Sequence, residues 1–119
     1  MTTKSFRDLI VWQKSFELTK EIYQLTKLFP KDELFGLTSQ IKRATVSVPS
    51  NIAEGCERGY KQELLRFLLI ALGSAGELTT QLLIARDLKM AEKKYFIKSE
   101  GLLLETTKLL HCFIRKLKS

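Results

Sequence analysis

From Leu34 to Arg58 the chain carries two stripes that a single helix would set on opposite sides. Leu34, Leu37, Ile41, Ala44, Val48 and Ile52 follow one another at spacings of 3, 4, 3, 4 and 4, while Arg43, Ser47, Ser50, Glu54 and Arg58 follow at 4, 3, 4 and 4. At about 100° per residue each set keeps to one face. The segment therefore reads as a helix with an apolar side and a strongly polar side. Pro49 lies in the middle of it. A proline there offers no N–H to the carbonyl of Thr45, and its ring presses on that carbonyl, at a cost of about 3 kcal/mol. The periodicity continues across Pro49 with no loop-forming residues around it. This predicts one kinked helix rather than two helices that meet, with packing making up the deficit.

Beyond Tyr60 the pattern changes. Phe67-Leu-Leu-Ile-Ala-Leu72 is apolar around the full circumference of a helix, which implies burial on both sides. Either a second subunit covers the outer side, or this is a central helix wrapped by its own neighbours. Gly73 and Gly76 flank Ala75 in the same helix. Each glycine costs about 1 kcal/mol against alanine in a helix interior, so a close approach by another helix is expected there.

The flanking segments are helical too. In a first helix, expected over Phe6 to Leu28, Val11, Ser15, Leu18, Ile22, Leu25 and Phe29 repeat at spacings of 4 and 3, and Leu9, Trp12, Phe16, Thr19 and Tyr23 are expected to widen the buried face. Phe29-Pro30 stops it, because the residue before a proline is pushed out of the α region. Asp32 and Glu33 are expected to open the second helix, where negative charge suits the positive end of the helix dipole. Gly59 caps its C-terminus, a third helix runs from there to about Lys89, and a connector covers Lys89–Glu92. In the fourth, Phe96, Ser99, Leu103, Thr106, Leu110, Phe113 and Leu117 alternate 3 and 4 without a slip. The expected fold is all-α, one domain over residues 1–119: an antiparallel, up-down-up-down four-helix bundle with a proline-kinked second helix. No strand, low-complexity tract or internal repeat is expected.

A chain of 119 residues with 45% apolar content suits one core. No uninterrupted apolar run reaches the 18 or so residues of a membrane span, and the first residues lack the apolar stretch and small-residue cleavage site of a signal peptide. Cys56 and Cys112 then read as free thiols in a reducing compartment, so a cytoplasmic protein with no membrane contact is expected. The net charge of +7 is unevenly placed: residues 1–30 carry +2, residues 31–88 carry zero and residues 89–119 carry +5. A surplus of this kind has two readings, contact with a polyanion, most simply RNA or DNA, and ordinary solubility charge. The residues expected to meet a polyanion are Lys93, Lys94, Lys98, Lys108, Arg115, Lys116 and Lys118.

Catalytic chemistry finds no foothold. His111, the only histidine, adjoins Cys112, but neighbouring residues on a helix point in different directions and zinc needs about four ligands. Gly73 and Gly76 lie inside a helix, whereas a phosphate loop places its glycines before one. No cofactor, no metal and no enzymatic activity are expected. The polar stripe of the second helix, Arg43, Ser47, Ser50, Asn51, Glu54 and Arg58, has two readings. It is a recognition surface with its arginines on phosphates, or a hydrogen-bond and ion-pair network that fixes helix register. Its mixed signs favour the network.

Several runs carry a resemblance. Val11-Trp12-Gln13-Lys14, Phe29-Pro30, Phe35-Gly36-Leu37, Gln40-Ile41-Lys42-Arg43-Ala44, Val48-Pro49-Ser50-Asn51-Ile52-Ala53-Glu54-Gly55, and Arg66-Phe67-Leu68 through Gly73-Ser74 resemble the four-helix bundle proteins encoded in intervening sequences of bacterial 23S ribosomal RNA genes. That family includes the accessory variability determinant of diversity-generating retroelements. The resemblance covers almost the whole chain. It implies a ring-like homopentamer and, in the retroelement branch, a basic surface that binds nucleic acid and a reverse transcriptase. Tyr60 departs from the usual Ser, so the capping box with Glu63 is lost, and His111-Cys112 departs from the usual fourth helix. The expectation is a non-enzymatic, homo-oligomeric nucleic-acid-binding accessory protein; the alternative is an assembly module that docks a protein partner such as a reverse transcriptase.

Overall fold

A computed structural model describes residues 5–119; the first four residues of the domain expected over 1–119 lie outside the described residues. The described chain is all-helical, with four long helices: α1 (Ile10–Thr26), α2 (Leu37–Arg58), α3 (Lys61–Asp87) and α4 (Ile97–Lys118). They form a rod measuring 49 × 24 × 23 Å. In the circuit of packed neighbours α1 lies against α2 and α4, and α3 lies against α2 and α4. Ion pairs between α1 and α4 run in opposite order along the two helices, as antiparallel neighbours require: Lys14 meets Glu105 while Glu21 meets Lys98.

The core follows the sequence periodicity closely. Val11, Ser15, Leu18, Ile22, Leu25 and Phe29 are all buried, as are Ile41, Ala44, Val48 and Ile52 of α2 and Phe96, Ser99, Leu103, Thr106 and Leu110 of the α4 stripe. Phe29 and Phe96 stack with centroids 5.9 Å apart and close one end of the rod. Two buried hydroxyls find acceptors one turn back: Ser15 Oγ donates to the Trp12 carbonyl at 2.8 Å and Thr106 Oγ1 to the Leu102 carbonyl at 2.7 Å. Back-bonding of this kind lets a helix carry Ser or Thr into an apolar core without stranding its hydroxyl; Thr38 Oγ1 and Ser99 Oγ, also buried, have no such partner among the described residues.

The helix through Pro49 is continuous from Leu37 to Arg58. The carbonyl of Thr45, left without its helical donor, lies 3.1 Å from Thr19 Oγ1 of α1. That hydroxyl also sits 2.9 Å from the Ser15 carbonyl, so one proton serves two acceptors. Packing thus meets part of the deficit that proline creates.

Several boundaries differ from the sequence expectation. The first helix begins at Ile10, because Leu9 is extended (φ −75°, ψ 128°) and Phe6–Asp8 forms a separate 3-10 turn capped by Ser5 Oγ, which accepts from the Arg7 N–H at 3.1 Å. The second helix does not open at Asp32 and Glu33. Those residues form another 3-10 turn, Lys31–Glu33, and Gly36 breaks the chain before Leu37. Leu34 consequently leaves the core stripe and is exposed. Glu33 still performs the expected task at one remove, since its Oε1 accepts from the Leu37 N–H at 3.3 Å at the start of α2.

The outer stripe of α1 widens the core only in part: Leu9 and Trp12 pack half-buried against it and Thr19 is half-buried, whereas Phe16 and Tyr23 are exposed. On α3, Leu69 and Ile70 are exposed while Phe67, Leu68 and Ala71 are buried. A Cβ built on Gly73 or Gly76 meets nothing within 4 Å, so the close approach expected there does not occur within one chain. It occurs instead at Gly55, where a Cβ would lie 2.9 Å from the Phe67 Cβ and 3.3 Å from the Leu64 Cα. By length and composition alone α3 could cross a membrane, although 39% of its most apolar window is buried inside the bundle.

Gly59, with φ 80°, ends α2 as expected, and Tyr60 precedes α3 without a side-chain cap. The end of α3 is less ordinary. Lys89 takes a positive φ of 58°, its N–H bonds to the Arg86 carbonyl and that of Met90 to the Ala85 carbonyl, both at 3.0 Å. This paired closure is a Schellman motif with lysine where glycine usually stands. A 3-10 turn at Lys93–Phe96 then leads into α4.

Candidate functional site

The cations expected to bind a polyanion are all exposed, but the fold separates them. At 1.5 Å per residue α4 is about 33 Å long. Lys93, Lys94 and Lys98 stand at its beginning, Arg115, Lys116 and Lys118 in its last turn, and Lys108 between them. The two groups also differ electrostatically. Lys98 Nζ lies 3.3 Å from Glu21 Oε2, and Lys94 Nζ lies 3.8 Å from Glu92 Oε2 and 5.1 Å from the centre of the Tyr95 ring. Among the described residues, Lys108, Arg115, Lys116 and Lys118 have no carboxylate within 4.0 Å, and in the first group the same holds for Lys93 alone. The cations of the last turn also complement the negative end of the α4 dipole.

The polar stripe of α2 divides into three parts. Ser47 Oγ and Ser74 Oγ lie 2.8 Å apart across the α2–α3 contact, and Asn51 Nδ2 donates to the Ser47 carbonyl at 2.8 Å and to its Oγ at 2.9 Å. Arg58 Nε donates to Glu54 Oε2 at 2.9 Å; Arg58 and Arg66 both approach Glu63 at 3.6 Å, and both cover the Phe67 ring. Arg43 shares an open groove of about 360 Å³ with Gln40, Ser47, Ser74 and Glu77, without a carboxylate inside 4.0 Å among the described residues. Ser50 points away from this stripe and lines a groove on the α1 side.

His111 and Cys112 are both exposed on α4. Among the described residues no three His, Cys, Asp or Glu side chains gather as metal ligands. Burial, with the charge of Glu57 adding to it, pushes the Cys56 thiol above its ordinary pKa.

Two further surfaces are not evident from the sequence pattern. Between α1 and α2 runs a groove of about 370 Å³ whose walls include Phe6, Trp12, Phe16, Val46, Pro49 and Ala53, with Lys20 at its rim. Trp12 stacks on Phe16 at 4.9 Å and takes the edge of Phe6 at 5.2 Å. Between α3 and α4 lies a groove of about 380 Å³ lined by Thr79, Leu82, Leu83, Leu103, Leu104 and Thr107, with the Arg86–Glu100 ion pair of 2.7 Å at one end. The signal for the first groove was the outer aromatic stripe of α1. For the second it was the failure of α3 to keep a polar side.

Comparison with known proteins places this architecture. A crystal structure of a protein of unknown function from the S23 ribosomal protein family of Bacteroides thetaiotaomicron superposes with a TM-score of 0.81 at 25% sequence identity, over 89% of this chain and 96% of that one. No curated protein matches the chain. The profile of the family described as 23S rRNA-intervening sequence protein matches residues 7–112, a span that reaches into all four helices. The chain belongs to the 23S rRNA-intervening sequence protein family.

Proposed function

We propose that this protein is a non-enzymatic, homo-oligomeric accessory protein that binds nucleic acid, with the homopentamer implied by the resemblance as its expected assembly. The observation that carries the binding is the unpaired cation cluster of α4: Lys108, Arg115, Lys116 and Lys118 are exposed and lack carboxylate partners among the described residues, in a segment of net charge +5. Glu92 and Glu21 beside Lys94 and Lys98 offset part of their attraction for phosphate, so the lead passes from those two lysines to these four. Contact of this kind is dominated by counterion release and shows little sequence preference. In an oligomer each cation recurs in every subunit, and weak contacts add through multivalency. The family's name makes 23S rRNA the first RNA to test.

The test is fluorescence anisotropy of labelled single-stranded and duplex fragments of 23S rRNA, titrated at several salt concentrations. The expected result is a log-linear fall of affinity with salt. Substituting Lys108, Arg115, Lys116 and Lys118 by Gln should flatten its slope by about 0.7 to 0.9 for each phosphate that is no longer neutralised. An unchanged slope in that variant would move the site elsewhere, Arg43 being the next candidate. No binding at low salt by the intact protein would overturn the reading.

A further inference from the structure

His111, the only histidine of the chain, stands inside the cation cluster of α4. Lys108, His111, Arg115 and Lys118 follow one another at spacings of 3, 4 and 3. At about 100° per residue the four keep within about 80° of one another. Side chains three or four apart on a helix are surface neighbours, with Cβ atoms about 5 to 6 Å apart. All four are exposed, while Ser99, Leu103, Thr106, Leu110 and Ile114 of the same helix are buried. Lys116 lies off this row, on the side of Glu105, which meets Lys14 of α1.

We infer that His111 completes this row as a pH-dependent phosphate contact, so that the protein holds nucleic acid more tightly as pH falls from about 8 to 6. The inference rests on the nucleic-acid-binding reading above and adds its regulation by protons. Histidine is the side chain whose ordinary charge change falls between about pH 5 and 8. A neutral imidazole offers phosphate one hydrogen bond; an imidazolium adds a fourth cation to a row of three. A phosphate oxygen beside the ring favours the protonated form. Binding therefore takes up a proton, and by reciprocity protonation strengthens binding by the same factor.

The surroundings of the ring leave that charge to phosphate rather than to a carboxylate. Helix α4 packs on α3 and α1. Against α3, the Arg86–Glu100 pair sets a register that brings His111 level with Ala75. The charged residue of α3 nearest that level is Glu77, which lines the α2/α3 groove beside Arg43. Against α1, the Lys14–Glu105 and Glu21–Lys98 pairs bring it level with Asp8, next to Arg7. That flank of α4 is the one Glu105 occupies, about 120° round the helix from His111. On α4 itself the titratable and charged neighbours are Lys108, Cys112 and Arg115. Among the described residues no carboxylate lies within 4.0 Å of the ring.

The experiment is the anisotropy titration with a labelled single-stranded 23S rRNA fragment at pH 6, 7 and 8 and constant ionic strength. It compares the intact chain with His111→Gln and His111→Lys. The position is exposed, and circular dichroism with light scattering checks that helicity and mass are kept. One exposed ion pair is worth about 1.5- to 5-fold, so the intact protein should bind tighter by that factor at pH 6 than at pH 8 for each subunit engaged. Its salt slope should steepen by about 0.7 for the added contact. The Gln variant should bind equally at both pH values, as the intact protein does at pH 8. The Lys variant should also bind equally at both, as the intact protein does at pH 6. Equal affinities of the intact protein at pH 6 and 8 would overturn the role of His111. So would a pH dependence that survives in the Gln variant, or a Lys variant no tighter than the Gln variant at pH 8. Each of these results leaves the binding reading standing. Absence of binding by all three proteins at pH 6 and low salt would overturn both.

Discussion

Gly55→Ala isolates the closest approach that any glycine of the chain makes to a neighbouring helix. In an open helix interior, replacing glycine by alanine gains about 1 kcal/mol. At Gly55 the new Cβ would stand 2.9 Å from the Phe67 Cβ and 3.3 Å from the Leu64 Cα. Neither atom can rotate away: one is the root of a buried side chain and the other is backbone. Helix α3 has to shift, and overpacking of this kind costs about 1 to 3 kcal/mol. The net effect is a loss between zero and about 2 kcal/mol. Gly101 provides the reference, since a Cβ there meets nothing within 4 Å and should realise the propensity gain in full. At about 2.1 cal/mol/K per residue, 1 kcal/mol moves the melting temperature of a domain this size by about 4 °C. Gly101→Ala should therefore melt about 4 °C above wild type, and Gly55→Ala should fall about 4 to 12 °C below Gly101→Ala. Differential scanning calorimetry at one protein concentration measures both. Equal melting temperatures for the two variants would refute the close approach of α2 and α3.

Lys89→Gly should raise stability by about 1 kcal/mol, read from a urea midpoint, because a non-glycine residue at positive φ costs about 1 to 2 kcal/mol. Pro49→Ala should keep the helix and supply Thr45 with its missing donor. Thr19→Val should then cost less in the Pro49→Ala background than alone, with a coupling of at least about 0.5 kcal/mol in a double-mutant cycle. Iodoacetamide at pH 7 should label exposed Cys112 well before half-buried Cys56, whose thiol is pushed up by burial and then by Glu57. Because that pKa is raised in the folded state, the thiol's contribution to stability is present below the ordinary thiol range and fades as pH rises through the raised value. Denaturation of the Cys56→Ala variant at pH 7 and 10 should show that dependence removed.

The helical core was legible because one 3-4 spacing decides both helix type and buried face, and Val11 through Phe29 and Phe96 through Leu110 obey it without a slip. The breaks at Leu9 and Gly36 were not, since each depends on where a 3-10 turn ends rather than on propensity, and Asp32-Glu33 carries an N-terminal signal that the following Gly36 overrides. Lys89 was hidden for the same reason: the Schellman closure needs a positive φ whichever residue stands there. Charge was legible in amount but not in place. Seven cations along the last segment look like one patch until helix rise separates them by the length of α4 and Glu21 engages Lys98. The aromatic groove was hidden in plain composition, because Trp12 and Phe16 satisfy the rule for core residues while facing a gap that α2 leaves open.

The two-residue join between α2 and α3 also bears on how the chain is made. As it leaves the ribosome, α3 is for a time the most apolar segment on offer, long enough to be read as a bilayer span. Gly59 and Tyr60 alone separate it from α2, whose apolar stripe is by then complete. Loop closure over so short a span is fast and entropically cheap. Phe67 and Leu68 can dock on α2 within nanoseconds to microseconds of emerging, long before α4 exists to cover the other side. The left-handed glycine at position 59 thereby acts on the fate of the nascent chain: a slower turn there would prolong the interval in which chaperones, membranes or other nascent copies compete for α3.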